Sequence, residues 1–379
     1  MRIAVVGAGI GGLVTAAGLR LDGHEVLLFE QRSDPGAVGA GLTLFGNALS
    51  ALDSIGLGEA VQTVSSDAAG RLRSGQRQPS GRWLVSLPPS AAPSVRSLHR
   101  ADLHTALVKV LGGDRVHLNH PAAVDSEGAP IVSVDGRRET FDLVVAADGL
   151  RSDARRTWRL DRGLRYAGYT AWRGVTASRG HLADEAGETW GRGARFGIVP
   201  LPDERVYWFA TLSAPPNTQF DDDRETLRSQ FGPWHRPIGA LIEATPDDDL
   251  LRYDIYDLAQ LPPSFTIGRS VLLGDAAHAM TPDLGQGAGQ AIEDAATLIR
   301  LLRDLRDDVA GPELESVLRR YSRLRHRRTR ALWNQSRLAG KFGQAHGSLS
   351  ANLRDAAMRA APAPLLTRAM THLQHWPTP

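Results

Sequence analysis

The sequence contains no cysteine. This absence excludes disulfide bonds, thiolate nucleophiles, cysteine-ligated zinc and iron–sulfur clusters. It also agrees with a reducing compartment such as the cytosol. We predict no metal site, so the chemistry must come from other side chains or from a bound organic cofactor.

Long apolar segments are absent as well. No run of about 18 apolar residues occurs, and the apolar start over residues 1–6 is interrupted from Gly7 onward. That start is too short for the core of a signal peptide. We therefore expect a soluble, cytoplasmic protein without a membrane partner.

The sequence has little excess of either charge. Its 44 Lys and Arg residues against 42 Asp and Glu residues give a net charge of +2. The isoelectric point of about 9.1 reflects the scarcity of groups that titrate above neutrality, since there are two lysines and six tyrosines. The arginine-rich segment 319–330 lacks interleaved stacking aromatics and is typical of a solvated helix face. We predict no nucleic-acid partner.

The order of predicted elements indicates an α/β chain. A length of 379 residues allows two or three domains. The apolar run Arg2–Val6 is typical of a strand buried on both faces, and a helix over about 11–22 and a strand over 25–30 follow it. Residues 166–261 carry short alternating strands and indicate a mainly antiparallel second domain. A further strand at 270–273 precedes predicted helices over 287–303 and about 312–338.

The first chemical motif is Gly-Ala-Gly-Ile-Gly-Gly at residues 7–12, between the first predicted strand and helix. In a dinucleotide site Gly7 allows the tight turn, Gly9 allows close approach of a pyrophosphate, and Gly12 allows close packing of helix and strand. The pyrophosphate would bind at the helix N-terminus. Glu30, 18 residues after Gly12, would accept the ribose hydroxyls and disfavours a 2′-phosphate. These residues leave FAD, NAD and a purely structural glycine turn open.

Two later segments favour FAD over NAD and over a purely structural turn. Residues 147–155, Ala-Asp-Gly-Leu-Arg-Ser-Asp-Ala-Arg, resemble the pattern DGxxSxxR, and residues 274–282, Gly-Asp-Ala-Ala-His-Ala-Met-Thr-Pro, resemble GDAAHxxxP. With these motifs the sequence resembles the FAD-dependent aromatic hydroxylases, the group A flavoprotein monooxygenases related to p-hydroxybenzoate hydroxylase. The resemblance implies a Rossmann-like FAD-binding domain with a parallel sheet, a mainly antiparallel substrate domain and C-terminal helices.

The resemblance also implies a discontinuous domain organisation. The FAD-binding domain is expected to comprise residues 1–70, 99–165 and 263–340. The substrate domain is expected to comprise residues 71–98 and 166–262, and a C-terminal helical segment to comprise 341–379. We expect a monomer or a homodimer.

The same resemblance assigns cofactor contacts to individual residues. Asp148 would lie near the FAD pyrophosphate, Asp275 would bind ribityl hydroxyls, and Arg100 would reach the FAD backbone. The helix that begins at Gly287 would direct its free N–H groups at the pyrimidine end of the flavin. The full expected set is Gly7, Gly9, Gly12, Glu30, Arg32, Arg100, Asp148, Asp275, Pro282, Gly285, Gln286 and Gly287.

Several of these residues have a simpler interpretation. Asp275 is also compatible with a helix cap, and Arg32 and Arg100 with solvated surface arginines. His278 has two interpretations, a structural histidine and a proton-transfer group.

Three residues match the substrate pocket of the urate-hydroxylase branch of this family. That branch has an arginine, a tyrosine 12 residues later and an aspartate after the proline of GDAxHxxxP, and Arg195, Tyr207 and Asp283 stand at these positions. We expect these residues to contact the substrate. The same pattern also occurs in branches with other substrates, so urate is one alternative among several.

The reaction implied by the resemblance is a hydroxylation. NAD(P)H as co-substrate would reduce FAD, dioxygen would form a flavin hydroperoxide, and one oxygen atom would pass to a small aromatic or heteroaromatic ring. Epoxidation and oxidative decarboxylation remain alternatives, since enzymes that catalyse them share the FAD motifs. A non-catalytic flavin-binding module is a further alternative, although it would not need residues 274–287.

Overall fold

The computed structural model describes residues 1–36, 40–87, 94–176, 186–305 and 311–362, together with 364, 367–368, 371, 373–376 and 378–379. Parts of the predicted segments 1–70, 71–98, 166–262, 263–340 and 341–379 lie outside these residues. Within the described residues the fold is a mixed α/β structure with parallel and antiparallel sheets and C-terminal helices, which confirms the predicted fold class.

The described residues form nineteen strands. In chain order they are β1 (Arg2–Val6), β2 (Glu25–Phe29), β3 (Gly41–Leu44), β4 (Ser65–Ser66), β5 (Ser74–Arg77), β6 (Trp83–Leu87), β7 (Arg96–His99), β8 (Val116–His117), β9 (Ala122–Val124), β10 (Ile131–Val134), β11 (Arg137–Thr140), β12 (Leu143–Ala146), β13 (Leu164–Thr176), β14 (Gly187–Trp190), β15 (Ala194–Pro200), β16 (Val206–Ser213), β17 (Leu251–Leu258), β18 (Thr266–Ile267) and β19 (Ser270–Leu272).

Twelve α-helices occur in the same part of the chain. They are α1 (Ile10–Leu21), α2 (Gly46–Ser54), α3 (Gly58–Gln62), α4 (Ala68–Arg71), α5 (Arg100–Leu111), α6 (Asp153–Thr157), α7 (Asp223–Phe231), α8 (Ile238–Glu243), α9 (Asp275–His278), α10 (Gly287–Arg303), α11 (Gly311–Gly343) and α12 (Ser348–Ala360).

A six-stranded sheet in the order β18-β19-β12-β1-β2-β8 carries the first motif. β1 pairs in parallel with both β12 and β2, and β19 extends the parallel part beyond β12. Successive side chains of β1 pack on opposite faces. Ile3 and Val5 join the core that includes residues of α1 and α10, whereas Ala4 and Val6 join a second core with Val132 of β10. Burial on both faces explains why Arg2–Val6 is almost uninterruptedly apolar.

A seven-stranded sheet in the order β17-β13-β16-β15-β14-β5-β6 forms the second layer, and its pairs are antiparallel except β14 with β5. One face packs on α7 and α8 through a core that includes Trp172, Phe196 and Trp208. Because side chains alternate along a strand, Arg195 and Tyr207 lie on the opposite face. Arg195 on that face contacts Asp283, which follows Pro282.

Helix α11 differs from its predicted extent. It spans 33 residues and continues past Leu338 to Gly343. A Cβ atom on Gly340 would lie 2.5 Å from Asp283 Oδ2, and one on Gly343 would lie 3.1 Å from Arg195 Cδ. Gly340 therefore lies inside the helix and Gly343 is its last residue, and at both positions the helix backbone passes close to another side chain.

Candidate active site

An open cleft of about 980 Å³ lies at the carboxyl ends of β1, β2 and β12. The glycine turn after β1 forms one side of it. Gly7 has φ +105°, and a Cβ there would lie 2.4 Å from the carbonyl oxygen of Ala147. A Cβ on Gly12 would lie 1.9 Å from the carbonyl oxygen of Gly7, whereas one on Gly9 would meet no atom within 4 Å. Gly7 and Gly12 thus satisfy needs of the fold, and Gly9 leaves space on the side where a ligand could approach.

Glu30 follows β2 and lines the cleft. Its carboxylate accepts the backbone N–H of Ala8 at 2.8 Å through Oε2 and that of Arg32 at 2.9 Å through Oε1. Both hydrogen bonds fix the carboxylate while each oxygen retains a lone pair for a hydroxyl donor. Arg32 lines the same cleft.

Asp148 lines the opposite side, where β12 ends. Its Oδ2 accepts the N–H of Ala154 at 3.0 Å, and its buried Oδ1 has no hydrogen-bond partner. An unpartnered buried carboxylate oxygen is costly unless another group, such as a bound ligand or water, satisfies it. This orphaned oxygen and the open position at Gly9 fit a polar ligand such as the ADP part of a dinucleotide.

Arg155 connects the two later motifs. Its guanidinium, 1% exposed, donates to the carbonyl of Ala276 at 2.8 Å, to the carbonyl of Leu150 at 2.8 Å and to Asp161 at 3.0 Å. The hydroxyl of Ser152 accepts the N–H of Arg155 at 2.9 Å and caps α6. The segments 147–155 and 274–282 are therefore joined directly by one side chain.

Asp275 begins α9, and the preceding Gly274 has φ +63°. No side-chain capping bond occurs at the start of this helix, and among the described residues the Asp275 carboxylate has no hydrogen-bond partner. Solvent reaches the side chain although protein atoms surround it, so the carboxylate lies in a recess. Burial raises the pKa of the Asp275 carboxyl, and His278 and Arg100 act in the opposite direction. The carboxylate is available to hydroxyl donors of a ligand.

Arg100 lies between the recess at Asp275 and the cleft. It begins α5, lines the cleft, and donates its backbone N–H to the carbonyl of Ala40 at 3.0 Å. Burial lowers the pKa of its guanidinium, while the charge of Asp275 raises it and those of Arg173 and Arg32 lower it further. Arg100 thus lies within electrostatic range of both Arg32 and Asp275, between the two parts of the site.

The segment after Pro282 leads into α10. Pro282–Leu284 form a short 3₁₀ turn, Gly285 is left-handed with φ +63°, and Gly287 begins the 17-residue helix α10. A Cβ on Gly287 would meet no atom within 4 Å, so the helix N-terminus is open at this point. The Gln286 side chain is buried and accepts a hydrogen bond from Asn47 at 2.9 Å, and its carbonyl accepts the N–H of Gln290 at 2.8 Å.

A buried polar network that the sequence did not reveal supports this helix. Asn47 also donates to Glu293 at 2.7 Å, and Arg325 bonds Glu293 at 2.7 Å and Asp294 at 2.5 Å. Asp294 accepts the backbone N–H of Gly274 at 2.8 Å and contacts His278 Nε2 at 2.6 Å. Burial would raise the pKa of the Asp294 carboxyl, but His278 and Arg325 outweigh burial and lower it. His278 is 1% exposed in this network, which supports its structural interpretation.

Two of the three expected substrate residues meet. Arg195 and Asp283 form an ion pair at 2.5 Å, with side chains 4% and 0% exposed. The hydroxyl of Tyr169 donates to the second oxygen of Asp283 at 2.9 Å. Burial and the Asp283 charge raise the pKa of Tyr169 well above its usual value, so this hydroxyl stays protonated. Gln344 lies beside this group and donates to Thr211, the residue paired with Arg195 across β15 and β16.

Tyr207 lies elsewhere on the same sheet face. It pairs with Val199, four residues along β15 from Arg195, and Phe209 lies between the two levels. A Cβ on Gly41 would lie 2.2 Å from the Tyr207 ring, so the ring packs on the backbone of β3. The sequence motifs did not indicate that Tyr169, Gln344 and Gly340 lie beside Arg195 and Asp283.

Two kinds of feature are absent from the described residues. No helix among them is long and apolar enough to cross a bilayer. They also contain no group of three or more His, Asp or Glu side chains arranged to hold a metal ion.

The fold and these motifs define the class of FAD-dependent aromatic hydroxylases related to p-hydroxybenzoate hydroxylase. The family model described as "FAD binding domain" matches residues 1–336, so the chain belongs to that family of flavoproteins. This confirms the family expected from the sequence.

Full-length relatives agree with this assignment. The chain is 36% identical over 371 residues to an aurachin C monooxygenase/isomerase of Stigmatella aurantiaca, with 95% of this chain and 94% of the relative covered. It is 32% identical over 380 residues to the 2-heptyl-3-hydroxy-4(1H)-quinolone synthase of Pseudomonas aeruginosa, with 96% and 94% covered. The structure of Klebsiella pneumoniae HpxO complexed with FAD and uric acid superposes with a TM-score of 0.85 at 27% identity, covering 98% of this chain and 96% of HpxO. The chain is an FAD-dependent monooxygenase by these criteria.

Proposed function

We propose that this protein hydroxylates a small aromatic or heteroaromatic substrate, with NAD(P)H as the electron donor. The observation that carries the proposal is the convergence of the three motifs. The glycine turn, the segment at Asp148 and the segment at Asp275 meet at the carboxyl ends of parallel strands, and Arg155 connects the last two. Ligands bind at this edge of open α/β sheets.

The residues of the cleft are suited to hold FAD in an extended form. Glu30 would accept the ribose hydroxyls, the N-terminus of α1 at Gly9 and the Asp148 side would flank the pyrophosphate, and Asp275 would accept ribityl hydroxyls. Arg100 would approach the phosphates between these positions. The open N-terminus of α10 at Gly287 would direct its N–H groups at the pyrimidine edge and stabilise negative charge there.

When bound, FAD would supply the redox chemistry, taking electrons from NAD(P)H and carrying activated oxygen as a hydroperoxide. The protein must exclude water around the ring, since an unprotected hydroperoxide is lost as hydrogen peroxide. The antiparallel sheet is suited to this task, because the face with Arg195 and Tyr207 presents aromatic and buried ion-paired groups.

The reaction is tested by reconstituting the protein with FAD and screening ring substrates. The panel contains 4-quinolones, urate, aminohydroxybenzoates and salicylate, chosen from the chemistry named for the relatives and neighbours. We expect one of them to stimulate NADH or NADPH consumption and to gain one oxygen atom on the ring. Consumption that yields hydrogen peroxide without any oxygenated product across the panel would contradict hydroxylation of these classes.

The same assay separates the alternatives. An epoxide, or a product that has lost carbon dioxide, would indicate the other reactions that share these FAD residues. A protein that binds no FAD and stays colourless would indicate that the cleft has no catalytic role. Loss of flavin binding and loss of turnover are therefore read out independently.

A further inference from the structure

The positive charge of this chain is concentrated in its C-terminal helices. Residues 316–360 contain eleven of the 44 Lys and Arg residues and one of the 42 Asp and Glu residues. That segment therefore carries +10, and the rest of the chain carries −8. Such an asymmetry indicates an anionic partner rather than a property of the fold.

Part of this charge is neutralised inside the protein. Arg325 and Arg328 pair with Glu293, Arg337 pairs with Asp257, and Arg354 pairs with Asp355. These four arginines hold the helices against the core and are not available to a partner.

A second group of arginines on α11 is exposed and has no ion-pair or hydrogen-bond partner among the described residues. Its members are Arg320, Arg323, Arg327 and Arg330. Their spacing of three, four and three residues places them along one side of the helix. Between residues 316 and 343 the helix contains no acidic residue. The result is a basic stripe about 15 Å long at 1.5 Å per residue.

Exposed apolar side chains follow the basic stripe. Leu338 and Phe342 on α11 are 66% and 41% exposed, and Leu349 and Leu353 on α12 are 74% and 61% exposed. On α12 the usual arrangement is reversed, because Arg354 and Asp355 are buried whereas the leucines face solvent. Arg354 of α12 donates to the carbonyl of Gly343 at 3.0 Å, so the apolar pairs lie on either side of the junction between the two helices. Exposed apolar side chains near one another mark an interaction surface.

We propose that the basic stripe and these four apolar residues form a docking surface for an anionic lipid bilayer. Arginines next to exposed leucine and phenylalanine are the combination that binds the interface of a bilayer, where the apolar groups enter between headgroups and the cations contact phosphate. A second copy of the chain is less suitable, since a two-fold contact would bring the same positive charge together. This proposal does not conflict with the absence of a spanning helix, because an interfacial protein needs none, but it revises the expectation that there is no membrane partner.

The test is co-sedimentation of the FAD-loaded protein with vesicles. We expect binding to vesicles of mixed phosphatidylglycerol and phosphatidylcholine at low salt, at least tenfold weaker binding to pure phosphatidylcholine, and release at high salt. Arg323→Glu with Arg327→Glu should weaken binding at least tenfold. Leu349→Ser with Leu353→Ser should weaken it several-fold at low salt and leave the remaining binding more sensitive to salt.

The matched control is Arg137→Glu with Arg162→Glu, which makes the same change in net charge at exposed arginines outside α11 and α12. It should retain at least half of the wild-type affinity. Unfolding temperature and flavin content identify any variant that fails to fold. Absence of binding to the anionic vesicles, or equal losses in the control and the α11 variant, would overturn the proposal. A dimer that Leu349→Ser with Leu353→Ser dissociates, without vesicle binding, would instead assign the surface to self-association.

Discussion

Arg155 donates a hydrogen bond at 2.8 Å to the carbonyl oxygen of Ala276, which lies 121 residues further along the chain. This one contact fastens the segment that carries Asp148 to the segment that carries Asp275. Both segments flank the proposed FAD site, so their separation depends on a buried guanidinium.

Replacing Arg155 with Met should therefore impair both folding and FAD binding. The change removes the guanidinium donor from the carbonyls of Leu150 and Ala276 and leaves Asp161 only the N–H of Gly163. Breaking a largely buried pair of this kind costs about 3–5 kcal/mol. Urea unfolding of the apoprotein and fluorescence titration with FAD measure the two effects. Arg156→Met is the matched control, since its neighbour Arg156 is exposed and should lose less than about 1 kcal/mol. Similar losses in both variants would contradict the role given to Arg155.

The glycines of the first motif should separate folding from ligand binding. Gly9 has an ordinary backbone with φ −66°, and space surrounds its missing Cβ. Gly9→Ala should keep the stability of the apoprotein but lower FAD affinity at least tenfold. Gly12→Ala should destabilise the apoprotein by about 1–3 kcal/mol through overpacking against Gly7. Thermal unfolding and FAD titration distinguish the two variants. An unchanged FAD affinity in Gly9→Ala would show that the pyrophosphate does not bind beside Gly9.

Glu30→Ala should weaken FAD binding by about 1–3 kcal/mol, the value expected when charged hydrogen bonds to the ribose are lost. AMP competition provides a direct measurement, because the loss should appear for AMP as well as for FAD. Glu25→Ala, at the start of β2 and in an exposed pair with Arg2, serves as the control. If AMP binds wild type and Glu30→Ala equally, the carboxylate does not contact the ribose.

Replacing Asp275 with Asn should stabilise the apoprotein at neutral pH but weaken FAD binding. Its pKa is raised in the folded apoprotein, so the folded state favours the neutral carboxyl, and a penalty develops as the pH rises through the usual range of an aspartate. Asp275→Asn should thus raise the unfolding temperature of the apoprotein at neutral pH, by about 1–3 °C given its access to solvent. The gain should vanish toward acid pH, and FAD retention should fall. A variant less stable than wild type at neutral pH would show that burial does not govern this carboxyl.

The Arg195–Asp283 pair should control turnover more than the flavin spectrum. Tyr169→Phe removes one hydrogen bond to Asp283 and keeps the ion pair. It should lower the free energy of unfolding by about 1–2 kcal/mol. We expect reduced substrate-stimulated NAD(P)H oxidation with an unchanged flavin absorption spectrum. Tyr207→Phe keeps the packing on Gly41 and serves as a comparison for the second position. Loss of FAD from Tyr169→Phe would place this group at the cofactor instead.

The regular elements near the glycine turn could be predicted because their causes are local. Arg2–Val6 is apolar on both faces, and α10 spans Gly287–Arg303 as its apolar spacing indicates. Helix α11 could not be delimited in the same way. Glycine usually lowers helix propensity, and the reason for it at 340 and 343 is the close approach of Asp283 and Arg195, which local sequence does not indicate.

The motif residues could be recognised in the sequence, whereas the side chains that form hydrogen bonds with them could not. Tyr169 and Asp283 are 114 residues apart, and Arg325 reaches Glu293 across 32 residues of chain. Nothing in local spacing reports such pairs, because the fold alone decides which side chains meet. The sequence also could not give the distance between Arg195 and Tyr207, which lie on the same sheet face with their cross-strand levels four residues apart. Their contact with the substrate stays a prediction.

The position of β19 beside β12 has a consequence for synthesis of the protein on the ribosome. β1, β2 and β12 are translated early, but their sheet acquires β19, the Asp275 segment and the open end of α10 only after residue 287 has emerged. At about 5–20 residues per second, that is roughly 14–55 s after the glycine turn leaves the exit tunnel. A nascent chain of this protein therefore has to protect a partly exposed parallel sheet until its cofactor can be enclosed.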